Sequence, residues 1–250
     1  YPTAAEAYRH GDGLCWSGYY HGVMEGIMSA VGRDNISENM NNICELIPGK
    51  AQYSFDYYNC VHGLGHGVMF VRNNEVFDSL KMCDFLTGHW EKSSCYGGVF
   101  MENVIADNIN HFAKYLKNDD PLYPCNAVEK QYKAACYLGQ TSYMLKLVNY
   151  DFKKIFELCK AVEEDFIDIC YQSAGRDASG QSISKVEPTK KTCLLDPDER
   201  AERNCVIGAV KDFISYYHSD TEAQKFCASL PENLKHTCSS TAESYYKSFN

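Results

Sequence analysis

Proline and tryptophan are sparse in this 250-residue chain, at seven and two residues. No apolar run approaches the roughly 20 residues that span a bilayer, which excludes a membrane-spanning helix. Strict apolar/polar alternation is hard to find, so half-buried strands are not expected. Positive charge is short as well. The 24 Lys and Arg are scattered among 33 Asp and Glu, for a net charge of −9, which argues against nucleic acid as partner. There is no glycine-rich phosphate loop. The metalloprotease pattern His-Glu-x-x-His is missing, because Gly63 stands where its glutamate would be. Ser182-Ile183-Ser184-Lys185 matches Ser-x-x-Lys but lacks the companion motifs of the penicillin-binding enzymes. With 45% hydrophobic and 23% charged residues, wholesale disorder is excluded.

Cysteine is abundant, with thirteen residues. That density suits an oxidising compartment. The chain also begins at Tyr1 with no basic-then-apolar segment, so a removed leader or a fragment is expected. The expected location is extracytoplasmic: secreted, periplasmic or at the cell surface.

The cysteines are periodic. Cys15, Cys60, Cys95, Cys136, Cys170, Cys205 and Cys238 follow one another at steps of 45, 35, 41, 34, 35 and 33 residues. The third residue after each is Gly, Ser or Thr. Cys44, Cys83, Cys125, Cys159, Cys193 and Cys227 precede the next of these by 16, 12, 11, 11, 12 and 11 residues. Between units the sequence reads as helix, turn, helix. Asn73-Asn74 and Asn149-Tyr150-Asp151 form breaks, Asp151 is an N-cap candidate, and Thr221 with Gln224 has the capping-box pattern. An extended polar loop is expected near 176–192.

These features predict an all-α fold: a right-handed α-solenoid of about seven αα-hairpin repeats in one domain over 1–250. Within each repeat, a disulfide of a dozen or so residues would tie the short helix to the long one: 44–60, 83–95, 125–136, 159–170, 193–205 and 227–238. Cys15 is left over, with a missing partner and a free or intermolecular thiol both open. The small residue three places after each repeat cysteine is expected to let helices approach closely. The repeat length and the Cys…Cys-x-x-Gly rhythm resemble the tetratricopeptide-like superfamily of helical-hairpin repeats, in its secreted, disulfide-stapled form. That resemblance implies architecture only.

The chemistry concentrates in residues 1–118, while 119–250 read as structural repeats. Six places after each repeat cysteine stand His21, His66, Met101, Ser142, Arg176, Lys211 and Ser244, a polar or soft slot expected to face a groove rather than the core. Positions two, six and ten share a helical face. This face carries His21 and Glu25 in the first unit, His62 and His66 in the second, and Met101 in the third. Two i,i+4 pairs in register predict a transition-metal site of His21, Glu25, His62, His66 and Met101. Zinc is the first expectation, with copper or iron as alternatives; nearby Met24, Met69 and Met101 tilt toward copper. Glu25 and Glu102 are the candidate bases of a metalloenzyme, with Glu102 alternatively supporting a ligand. Gly18 and Gly63 fall in the small slot, whereas helix packing does not obviously account for Gly22, Gly26, Gly65 and Gly67. His10, His89, His111, His218 and His236 share no register and are expected at the surface, His89 and His111 being reserve ligands. The alternative function is a non-catalytic scaffold that binds a protein partner or self-associates through its groove or end repeats.

Overall fold

The computed structural model describes residues 6–7, 16–32, 34–105 and 113–248, without the side chains of 16–18 and 21. Cys15, His10 and His111 lie outside the described residues, as does the His21 side chain. The described chain is all-helical, with no strand. Its helices are α1 (Trp16–Val31), α2 (Ile36–Ile43), α3 (Phe55–Val71), α4 (Val76–Cys83), α5 (His89–Ile105), α6 (Lys130–Leu147), α7 (Phe152–Lys160), α8 (Ile167–Gln181), α9 (Val186–Cys193), α10 (Glu199–Tyr217), α11 (Thr221–Ser229) and α12 (Glu232–Lys247). No helix is long and apolar enough to cross a membrane. Long and short helices alternate through most of the chain, as the cysteine rhythm predicts.

The chain divides into two compact units, 1–117 with 127–136, and 118–126 with 137–250. In the first, long helix α3 packs on α1 and α5, and short helix α2 on α4. In the second, α10 packs on α8 and α12, and α9 on α11. Bridges Cys44–Cys60, Cys83–Cys95, Cys159–Cys170, Cys193–Cys205 and Cys227–Cys238 tie each short helix to the long helix that follows, at Cα separations of 5.3–5.9 Å. Cys125 and Cys136 are disulfide-bonded too. The cores beside these bridges are aliphatic and aromatic, with Met28, Leu64, Leu80 and Phe100 buried in the first unit and Phe156, Tyr171, Phe213 and Phe226 in the second.

The turn from long to short helix is itself a repeat. Asn73-Asn74, Asn149-Tyr150 and Ile183-Ser184 each hold two successive left-handed residues, with φ between 49° and 60°. They sit thirteen and fourteen places after Cys60, Cys136 and Cys170. In each, the second amide reaches back to the long helix: Asn74 N to Met69 O (2.8 Å), Tyr150 N to Leu145 O (2.8 Å) and Ser184 N to Ser179 O (2.9 Å). These bonds satisfy carbonyls that a helix end would otherwise leave unpaired. Asp151 caps α7 by accepting from Lys153 N.

Two local expectations are corrected. The loop near 176–192 is helical to Gln181 and again from Val186. Its polar residues bond one another inside: Ser179 with Ser184 (3.3 Å), Ser182 with Thr189 (2.7 Å), and Thr189 Oγ1 to Lys185 O (2.7 Å). Thr221 does not cap α11 either. It is the first helical residue, after Asp220, and its amide donates to Ser219 Oγ.

Glycines set the long-helix crossings, and the two units use one geometry. A Cβ on Gly65 would stand 2.2 Å from Cys95 O, and one on Gly98 would stand 2.0 Å from His62 O. In the second unit, Gly175 and Gly208 face Cys205 O and Gln172 O at 1.9 and 1.8 Å. Each crossing therefore pairs the fifth position of one helix with the third of the next. Where α6 meets α8, Thr141 and Ser173 fill those positions, and Ser173 Oγ donates to Leu138 O (2.6 Å). The small slot permits close approach, as anticipated at Gly98 and Gly208. Contrary to expectation, packing also accounts for Gly65, and for Gly67, whose missing Cβ makes room for Met24 and Met28. Among the described residues, a Cβ on Gly22 or Gly26 would meet nothing within 4 Å.

Candidate functional site

The α3–α5 crossing brings predicted site residues together. Ser54 caps α3 by accepting from Tyr57 N, and α3 then carries His62 and His66 one turn apart. The two imidazoles converge, with Nε2 of His66 3.3 Å from Nε2 of His62. From α5, Met101 Sδ lies 3.3 Å from His62 Nε2, and Glu102 Oε2 lies 2.6 Å from His66 Nδ1. Gly98 permits this approach of the backbones, whereas a Cβ on Gly97 would make only ordinary contact with the His62 ring, at 3.4 Å from Nδ1. The two glycines and Met101-Glu102 occupy successive turns of one helix.

Proton placement follows from the partners. A carboxylate only accepts, so His66 Nδ1–H donates to Glu102, and in the neutral ring the lone pair of His66 falls on Nε2, pointed at His62. Tyr58 stacks on His62 with ring centroids 5.3 Å apart, and its hydroxyl lies 3.5 Å from Nδ1. His62 with its proton on Nε2 donates into the space it shares with His66 Nε2 and Met101 Sδ. Burial is graded across the site: His66 is 1% exposed and Met101 is 40% exposed. His66 thus departs from the groove-facing role expected of its slot and is buried against Glu102 of α5.

Glu25 is half-buried on α1. Among the described residues, no three His, Cys, Asp or Glu gather so as to hold a metal ion; the third donor beside the two imidazoles is a thioether. Met24 and Met69 are buried at 0% and 1% exposure, and Met24 packs at Gly67. They belong to the core. His89, His218 and His236 are exposed.

Next to this site, Trp90 gathers an aromatic cluster. Tyr53, Tyr57 and Tyr58 surround it at centroid distances of 4.5, 5.8 and 6.1 Å. Tyr57 donates to Glu91 (3.0 Å), and burial followed by that bond pushes its phenol up. Asp84, at the end of α4, accepts from both Tyr96 and Tyr132. Burial first, then the Asp84 bond, raises Tyr132 to about 12.

In the second unit, the slots six and seven places after the cysteine hold a charged cluster that sequence reasoning left unassigned. Asp177 accepts from Thr141 (2.6 Å), Ser142 (2.9 Å) and both Nε and Nη2 of Arg176. Lys211 Nζ donates to Gln172 Oε1 (3.1 Å), and burial lowers its pKa. Burial raises Asp212, opposed by a bond from Ser179 and by the Arg176 charge. The available signal was the slot itself, which reads Arg-Asp in α8 and Lys-Asp in α10. Because native Lys211 binds a proton less readily than an unfolded lysine, stability should rise with pH between its lowered native value and its ordinary 10.5. Lys211→Met should therefore raise the melting temperature at neutral pH and flatten that rise. Thermal scans across pH test this, and a lower melting temperature with an unchanged pH slope would refute it.

Comparison with known proteins finds no matching family model, no similar curated protein and no similar solved structure.

Proposed function

We propose that this chain is an extracytoplasmic, disulfide-stapled helical-repeat protein that holds one transition-metal ion between His62, His66 and Met101. The observation that carries the reading is the 3.3 Å separation of the two Nε2 atoms, with Met101 Sδ equally close to that of His62. Two nitrogens each about 2.0 Å from a shared ion subtend a near-tetrahedral angle at this separation. An ion there would displace the proton of His62 Nε2. Glu102 supplies the outer carboxylate that fixes a metal-binding imidazole in its tautomer and raises its basicity. With Oε2 directed to His66 Nδ1, Glu102 is better suited to orienting that ring than to acting as a base. The role is binding, and no reaction is assigned.

Extracytoplasmic location is supported by the disulfides, and the right-handed solenoid resembling tetratricopeptide-like repeats by the recurrent turn and crossing. Elemental analysis of protein purified without added metal tests the metal reading. One ion per chain is expected in the parent and none in a His62→Ala/His66→Ala variant that keeps its helical signal. Glu102→Gln should weaken binding by about 10–100-fold. A folded parent that takes up no ion on reconstitution would end this reading.

A further inference from the structure

Lys211 is a cation whose anion the described residues do not supply. Its Nζ donates to Gln172 Oε1 at 3.1 Å, its one hydrogen bond among them. An ammonium carries three N–H donors, so two are left over. The acids nearest in register are engaged elsewhere. Asp177 accepts from Arg176, Thr141 and Ser142, and Asp212 from Ser179. Burial is the one cause lowering the Lys211 pKa, with no carboxylate acting against it. A desolvated charge without a counter-charge costs stability, which is why Lys211→Met is expected to stabilise the chain.

The lysine is also held in place. Gln172 Nε2 donates to Asn204 Oδ1 (3.1 Å), and buried Asn204 donates in turn to Arg200 O (3.0 Å). This chain turns the Gln172 oxygen toward Lys211, so the ammonium is fixed before any ligand arrives. The repeat supplies the position. Gln172 and Lys211 fill the second and sixth slots of neighbouring long helices, as His62 and Met101 do in the first unit. Arg176 stands one turn beyond Gln172 on α8, and Ile207 and Ser215 flank Lys211 by one turn each on α10. These residues and Lys211 are half-buried, so a small group reaches them from solvent. Ser215 Oγ lies 3.3 Å from the Tyr245 hydroxyl of α12.

Charge and shape select the ligand. Asp177 answers the Arg176 guanidinium at 2.7 Å, which leaves the single charge of Lys211. A carboxylate brings one negative charge and two acceptor oxygens to the two remaining N–H donors. A phosphate dianion would bring a second charge toward Asp177. Ile207 offers an apolar contact to the atoms behind the carboxylate. We infer that Lys211, positioned by Gln172, binds the carboxylate of a monoanionic ligand on the α8–α10 face. The site uses none of the residues assigned to the metal and does not depend on that reading.

The test is NMR of the full disulfide-bonded chain carrying lysine labelled at its ε-carbon, the Lys211 signal being the one absent from Lys211→Met. Sodium propionate is titrated in, with acetyl-dialanine and sodium phosphate in parallel. Propionate should shift the Lys211 signal to saturation and move its pKa back toward the ordinary lysine value, because a bound anion favours the charged form. Lys211→Arg should keep the propionate-dependent rise in melting temperature, and Lys211→Met should lose it. Gln172→Leu, without the positioning oxygen, should weaken propionate binding by about fivefold. Tighter binding of acetyl-dialanine than of propionate would assign the carboxylate to a peptide terminus, and the reverse order to a small free acid. A Lys211 signal that responds to both carboxylates no more than exposed lysines do, or that answers phosphate more strongly, would overturn the inference.

Discussion

Gly98→Ala should destabilise the protein by about 3 kcal/mol or more and abolish metal uptake, although it adds a single methyl group. The added Cβ would lie 2.0 Å from His62 O and 3.0 Å from Gly65 Cα. Both are backbone atoms, so no rotamer change relieves the clash, and helices α3 and α5 must separate. Overpacking of this kind costs about 1–3 kcal/mol where side chains can yield, and more where they cannot. For a chain of this size, that corresponds to a fall in melting temperature on the order of 10 °C. Moving α5 also carries Met101 and Glu102 away from His62 and His66, so the site opens along with the crossing. Gly208→Ala is the control. Its Cβ would meet Gln172 O at 1.8 Å in the second unit, so it should cost similar stability while sparing metal uptake. Gly22→Ala and Gly26→Ala should do the opposite. Among the described residues neither added methyl group meets an atom within 4 Å, and alanine is favoured over glycine by roughly 0.8–1.0 kcal/mol in a helix interior. Calorimetry with elemental analysis of the four variants tests the series. A Gly98→Ala protein as stable and as metal-competent as the parent would contradict the crossing geometry.

That contrast also shows how far the sequence could be read. The cysteine pairing was legible because two cysteines 11–16 residues apart, flanking one turn, can close only a local loop between neighbouring helices. The third-position slot was legible because every copy keeps a small residue. Its partner, the fifth position, was not. Gly65 and Gly175 share it, but Phe100, Thr141 and Val210 occupy it elsewhere, and its requirement comes from a carbonyl on the next helix, which leaves no periodic trace. His62 and His66 announced themselves by i,i+4 spacing, and Met101 by its register. Sequence proximity could not separate Met101 from Met24 and Met69, because one turn of helix decides whether a thioether meets an imidazole or the core. The stretch from 176 to 192 was misread for a related reason. Its serines and threonines suggest solvent, yet they bond to one another and to the backbone across a tight turn. Polarity signals a loop only when the polar groups lack internal partners.

Reduction of the disulfides should unfold the protein without any denaturant. Each of the five bridges between short and long helices closes a separate loop of 11–16 residues. Removing one such constraint costs about 3 kcal/mol in the chain-entropy model. The loops share no residues, so their contributions are close to additive. Together they equal or exceed the roughly 5–15 kcal/mol by which native domains are stable. The short helices explain the dependence. Helices α2, α4 and α9 have eight residues each, below the length at which an isolated helix holds in water. Of the three, α9 buries only Thr189 and Cys193, so tertiary contacts alone give it little hold. Far-UV circular dichroism under a phosphine reductant should show most of the helical signal lost at 25 °C, and the oxidised chain should keep it. A Cys193→Ala/Cys205→Ala variant should lose about 3 kcal/mol and release α9 first, visible as rapid amide exchange over 186–193. The same arithmetic bears on location, since a chain held reduced would not accumulate folded, whereas one exported to an oxidising compartment would. A reduced chain that keeps its helices and its melting temperature would show that hairpin packing alone suffices, and would remove the physical support for an extracytoplasmic location.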